Sequence, residues 1–188
     1  MSTVRLLVLG SILRKGISHG YAVFSDITSW RADTWTNVKP GSIYHALDKL
    51  ESQGMIRSVN SEINVKLGPS RKEYAITQKG GSEFIALLES ALVSVDIQQL
   101  SVGIAFMDML PRQRAIGLLQ QCRIALERSI HFLKSLPTDE RPTDPSKHPE
   151  LVGIWVNYVE NEAATTERIL VNVQAGKYEF KSDLLEGE

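Results

Sequence analysis

The chain has 188 residues, 43% of them hydrophobic, which is enough to bury a core and too apolar for global disorder. A single cysteine, Cys122, excludes an intramolecular disulfide and fits a reducing, cytoplasmic setting. The most apolar runs, such as Val4–Leu9 and Leu151–Val156, are too short to cross a bilayer, and no signal-peptide pattern opens the sequence. The net charge of −1 hides a division, since residues 1–80 carry +5 and residues 81–188 carry −6. Such an asymmetry points to a polyanion-binding part joined to a part with another task.

Residues Ser2 to Lys15 open with a cap and then repeat Val4, Leu7, Val8 and Ile12 at helical spacing until Gly16. His19-Gly20-Tyr21 starts a second helix that runs to about Trp30, and a polar connection over residues 31–39 follows. The next stretch, Pro40 to Ile56, reads PGSIYHALDKLESQGMI. Pro40 suits a first helical position, because its fixed φ is already helical and its missing N–H has no partner there. Ile43, Ala46, Leu47 and Leu50 form one buried stripe, and Gly54 is the expected left-handed stop. Ser42, Tyr44, His45, Asp48, Lys49 and Ser52 point elsewhere, an outer face suited to a DNA groove.

Residues 55–60 and 71–76 are short and β-compatible, and Gly68-Pro69 between them marks a turn. They predict a two-stranded hairpin with Lys66, Arg71 and Lys72 at or beside its tip. Three helices followed by such a hairpin make a winged helix-turn-helix. Thr77 opens another helix, striped by Phe84, Leu87, Leu88, Ala91 and Leu92. Val102, Ala105, Phe106 and Met109 form a further stripe, ended by Pro111.

Arg112 to Leu136 is one long helix with a repeat close to 3.5 residues, and a second runs from Leu151 to about Val173. A proline-rich loop over residues 137–149 joins them, so they should pair antiparallel. Apolar residues on more than one side, including Val152, Val159 and Leu170, predict a dimer interface. The acidic tail after Lys177 is expected to fray. The organisation expected is a mostly α chain. A winged-helix DNA-binding domain spans 1–80, connecting helices 81–110, an all-α dimerisation pair 111–178, and a tail 179–188.

Three blocks together resemble the PadR family of bacterial transcriptional regulators. They are His19-Gly20-Tyr21; Pro40-Gly41-Ser42-Ile43-Tyr44 with Leu47, Leu50-Glu51 and Gly54; and Arg71-Lys72-Glu73-Tyr74 with Thr77 and Gly80. They cover residues 19–80. Ser42, Ile43 and His45 depart mildly from the usual pattern, and His45 stands where proline is common. Two long C-terminal helices look like the larger PadR subfamily that also resembles the AphA regulators. The resemblance implies a homodimeric repressor of detoxification, phenolic-acid stress or efflux genes.

Phosphate contacts supply DNA affinity and base edges supply specificity. The candidate DNA-binding residues are Tyr21, Lys39, Ser42, Tyr44, His45, Lys49, Lys66, Arg71 and Lys72. Five of them have plain alternatives: Lys49 an ion pair on its own helix, Tyr21 a place in the core, and Lys66, Arg71 and Lys72 an ordinary solvated hairpin. A dimer with two groove helices recognises an inverted repeat in double-stranded DNA. Trp30, Trp35, Phe106 and Trp155 are candidates for an apolar pocket between the two domains that takes a small aromatic effector. Ordinary core packing is the alternative for them.

Four scattered histidines show no metal spacing, and the phosphate-loop, dinucleotide and nucleophile-elbow motifs do not occur. Cys122 lies on an apolar stripe and reads as packing. No enzyme, metal or cofactor is expected. The competing reading from another class is a winged helix that binds only protein, which leaves its basic wing and groove helix unexplained.

Overall fold

The computed structural model describes residues 3–36, 38–59, 72–136 and 149–181. Residues 60–71, with Lys66, Arg71 and the Gly68-Pro69 turn, lie outside the described residues, as do 137–148 and 182–188. The chain divides into two compact units. One comprises Met1–Ala91 with Ser101–Phe106, the other Leu92–Leu100 with Met107–Glu188.

The first unit is built round α1 (Thr3–Lys15), which packs against α2 (Gly20–Ser29), α4 (Pro40–Ser52) and strand β3 (Glu73–Ile76). Leu6 and Leu9 are buried together with Leu7, Val8 and Ile12, so α1 is covered on nearly every side. A single stripe was too narrow a reading of it, because a central helix meets neighbours all round. A short helix, α3 (Ala32–Trp35), occupies part of the polar connection that precedes α4. Leu47, Leu50 and Ile43 of α4 are fully buried, as their spacing required, while Ala46 is half-buried. Gly54 has φ +70° and ends the helix as a left-handed residue.

The expected hairpin is present as β2 (Ile56–Val59) against β3, with Ile56 opposite Ile76 and Val59 opposite Glu73. A third strand joins it. Residues Ser18–His19 form β1 and pair antiparallel with β3, Ser18 opposite Tyr74 and His19 opposite Glu73, giving the order β1-β3-β2. Two residues are too few to show a periodic signal, which is why the sequence predicts only two strands.

Thr77 fastens the sheet to the next helix, α5 (Gln78–Leu92). Its hydroxyl donates to the Gly54 carbonyl at 2.8 Å and accepts the Gly80 N–H at 3.1 Å. A Cβ on Gly80 would stand 1.9 Å from the Met55 carbonyl oxygen, so only glycine fits there.

In the second unit α7 (Arg112–Ser135) and α8 (Pro149–Gln174) pack together. Arg112 donates to the Val173 carbonyl, Arg123 pairs with Glu167, and Lys134 pairs with Glu160, a reversed order that makes the helices antiparallel. Helix α6 (Ile97–Phe106) contributes its first residues to this unit and its last six to the other. The expected fraying of the tail is corrected for its first residues. Arg112 donates to the Tyr178 carbonyl at 2.7 Å and lies over the Phe180 ring at 4.6 Å, and Phe180 is buried. The Lys181 N–H also donates to the Asp108 carbonyl at 3.0 Å, so a buried ring and backbone bonds dock this segment together.

Candidate nucleic-acid interface

Helix α4 presents the residues expected of a groove helix. Its N-terminus is closed by Ser42, whose Oγ accepts the Lys39 N–H at 2.9 Å and donates to the Lys39 carbonyl at 2.7 Å. This reciprocal cap and Pro40 fix where the helix begins. Lys39, Tyr44, His45 and Lys49 are exposed, and Ser42 is partly so. His45, Lys49 and Ser42 share a shallow groove of about 230 Å³ with Val4 and Arg5 of α1. The Arg5 charge is answered by Glu83 at 3.0 Å.

On the other side of Tyr44 lies a cleft of about 380 Å³ lined by His19, Gly20, Tyr21, Tyr44, Lys72 and Tyr74. The pairing of β1 with β3 builds it, because it carries His19-Gly20-Tyr21 to the edge that bears Lys72 and Tyr74. Gly20 supplies the close approach, since a Cβ there would meet the Tyr44 ring at 2.7 Å. Tyr21 is 61% exposed, so its core-packing alternative is not realised. Tyr44, at 48%, keeps its ring on Gly20 and its edge in solvent.

Lys72 is tethered. Its ammonium pairs with Glu51 of α4 at 2.5 Å and lies 5.4 Å from the centre of the Tyr74 ring. The Glu51 partner pushes the Lys72 pKa up, and Lys72 in turn holds the Glu51 carboxyl below the usual carboxylate range. Burial raises the Tyr74 hydroxyl, which therefore remains a proton donor at neutral pH. Thus five exposed positions expected from the sequence, Tyr21, Lys39, Tyr44, His45 and Lys49, occur together with Lys72 on this unit. Lys66 and Arg71 belong to the undescribed tip.

Gly20, Glu51 and Tyr74 were not among the candidate site residues. All three stood in the quoted motifs, but their roles depend on contacts between segments distant in sequence. Of the four aromatics grouped as a pocket, three cluster in the first unit. Trp30 lies 5.7 Å from Trp35 and meets the Phe106 ring edge-on at 6.1 Å. Trp155 belongs to the second unit, where it meets Tyr158 edge-on at 5.6 Å.

The first unit is thus a winged helix-turn-helix of the class that regulators use to hold DNA. Residues 8–86 match the Transcriptional regulator PadR-like family, and this part of the chain is a PadR-like domain. No curated protein matches the chain in sequence. Among solved structures, PadR of Bacillus subtilis in complex with operator DNA is similar at 23% identity, covering 92% of this chain and 99% of its own, with a TM-score of 0.40. The PadR-like regulator BC1756 of Bacillus cereus is similar at 17% identity over 92% and 99%, with a TM-score of 0.38. PadR of Bacillus subtilis in complex with p-coumaric acid is similar at 20% identity over 92% and 96%, with a TM-score of 0.36.

Proposed function

We propose that the chain is a sequence-specific DNA-binding repressor that works as a homodimer and is released by a small aromatic effector. The observation that carries this reading is the exposed face of the PadR-like domain. There Tyr44, His45 and Lys49 stand outward from a capped helix, with Tyr21 and Lys72 beside them. Helix α4 enters the major groove, and its N-terminus and Lys39 lie against the phosphate backbone. Tyr21 and Tyr44 offer hydroxyls to phosphates, while His45 and Lys49 reach phosphates or base edges. Lys72, with Lys66 and Arg71 of the wing, adds positive charge along the duplex.

Dimerisation through α7 and α8 is supported by apolar surface that the single chain leaves open. Phe132, Leu151 and Ile154 are 63%, 51% and 64% exposed. Two copies then set two groove helices about 34–36 Å apart, on successive turns of an inverted repeat. Detoxification, phenolic-acid stress and efflux genes are the targets this reading favours, and a cytoplasmic location goes with it. No described helix is long and apolar enough to cross a membrane.

Electrophoretic retardation of the gene's own promoter over a series of salt concentrations tests the reading. Retardation that weakens linearly in log–log form supports it, and a footprint gives the repeat. A protein that stays monomeric in sedimentation, or leaves the duplex free at low salt, refutes it.

A further inference from the structure

The DNA-binding unit carries an acid that the contacts proposed above leave unused. Glu51 stands in the last turn of α4, at the negative end of the helix dipole, where its own helix disfavours a carboxylate. Its answer comes from another segment. The Lys72 ammonium, just before β3, reaches the carboxylate at 2.5 Å and lies 5.4 Å from the centre of the Tyr74 ring. A contact across the fold thus offsets what the local helix opposes.

Lys72 also lines the cleft beside Tyr21 and Tyr44 on the proposed DNA face, so one ammonium has two anions to serve. Its side chain is 50% exposed and that of Glu51 25%, which leaves the lysine open to a phosphate while the pair is formed. An ammonium is a compact charge on a flexible stem and can swing between acceptors. Sharing it is unfavourable, because a phosphate on the same nitrogen sets like charge close to the carboxylate. Exchange is favoured, because duplex phosphates form a dense row whose condensed counterions a lysine releases, whereas an exposed ion pair is weak.

We propose that Glu51 is a competitor for DNA built into the DNA-binding face. It holds Lys72 in the free protein, yields the ammonium to a backbone phosphate on binding, and so restrains affinity for any duplex. Phosphates carry no sequence, so the restraint acts on operator and random DNA alike. The inference rests on the DNA-binding reading above. A parent chain that ignores DNA defeats both, whereas a parent that binds and a variant that binds no better defeat this one alone.

The test titrates the full chain with a fluorescent promoter fragment and with a duplex of the same bases in shuffled order, each over a series of salt concentrations. Glu51→Gln keeps the shape and an acceptor oxygen but removes the charge. It should bind both duplexes about fivefold more tightly, with the parent's salt slope, since the same phosphates are neutralised. Glu51→Ala, which leaves Lys72 no acceptor there, should gain at least as much, and urea denaturation checks that each variant is folded. In a Lys72→Ala background, Glu51→Gln should gain less than about twofold. Weaker binding by Glu51→Ala overturns the proposal, because Glu51 then holds the lysine ready for DNA. An equal gain without Lys72 overturns it too, because Glu51 then acts by simple repulsion, as does a gain confined to the promoter fragment. So does a slope steeper by about 1, which means that Lys72 meets phosphate only when the Glu51 charge is gone.

Discussion

Glu51 and Glu162 are chemically the same group, and the two units treat them oppositely. Glu51 sits at the surface of the PadR-like domain, where Lys72 pulls its pKa below the ordinary value. Glu162 of α8 is buried, its carboxylate oxygens have no hydrogen-bond partner among the described residues, and its pKa rises to about 7. A partner favours the charged form and desolvation disfavours it, so environment decides the sign. The first unit pairs Glu51 with Lys72 at its surface. The second buries Glu162, only 3% exposed, at a cost to stability.

The largest expected effect concerns the frame that holds the DNA-binding face. Gly80→Ala drives a methyl group into the Met55 carbonyl and should cost about 4 kcal/mol, read by urea denaturation, with DNA retardation lost at the same time. A variant as stable as the parent would show that the strand end moves freely, which its Thr77 hydrogen bonds argue against.

Next comes the buried carboxyl. Folded Glu162 holds its proton up to about pH 7, whereas the unfolded group releases it near 4.5. Between those values the native chain binds more protons, so this group makes stability fall as pH rises, by up to about 3 kcal/mol. Glu162→Gln removes the dependence. Denaturation at pH 5 and pH 8 should therefore show the variant gaining on the parent at the higher pH, and parallel curves would sharpen the comparison against the buried charge.

Smaller effects belong to the face itself. Gly20→Ala displaces the Tyr44 ring and presses at 3.2 Å on the buried Leu47, and about a tenfold loss of DNA affinity is expected in a titration by fluorescence anisotropy, read beside a urea denaturation of the same variant. Unaltered affinity would mean that Tyr44 does not need its seat on Gly20. Lys72→Ala should weaken binding to all sequences alike and lower the salt slope by about 1. An unchanged slope would mean that Glu51 keeps Lys72 away from phosphate, and that the tether is structural.

Much of this molecule is decided locally. The Ile43, Leu47 and Leu50 spacing, the Pro40 start with its Ser42 cap and the Gly54 stop define α4 whatever surrounds it, because helix periodicity and capping act within a few residues. The long C-terminal helices follow from their own repeats in the same way. The PadR resemblance over residues 19–80 rested on short motifs, and those too are contiguous.

Contacts across the chain are another matter. No periodicity predicts that Ser18-His19 becomes a strand, yet that pairing places Tyr21 beside Tyr44, Lys72 and Tyr74. Nor does α8 announce that Glu162 loses its water with no hydrogen-bond partner among the described residues to replace it. The chain's own order fixes which residues can be helix, turn or strand, since those preferences are backbone properties. Which side chains meet, which charges are answered and which stand alone depend on long-range burial, and only the folded tertiary structure decides that.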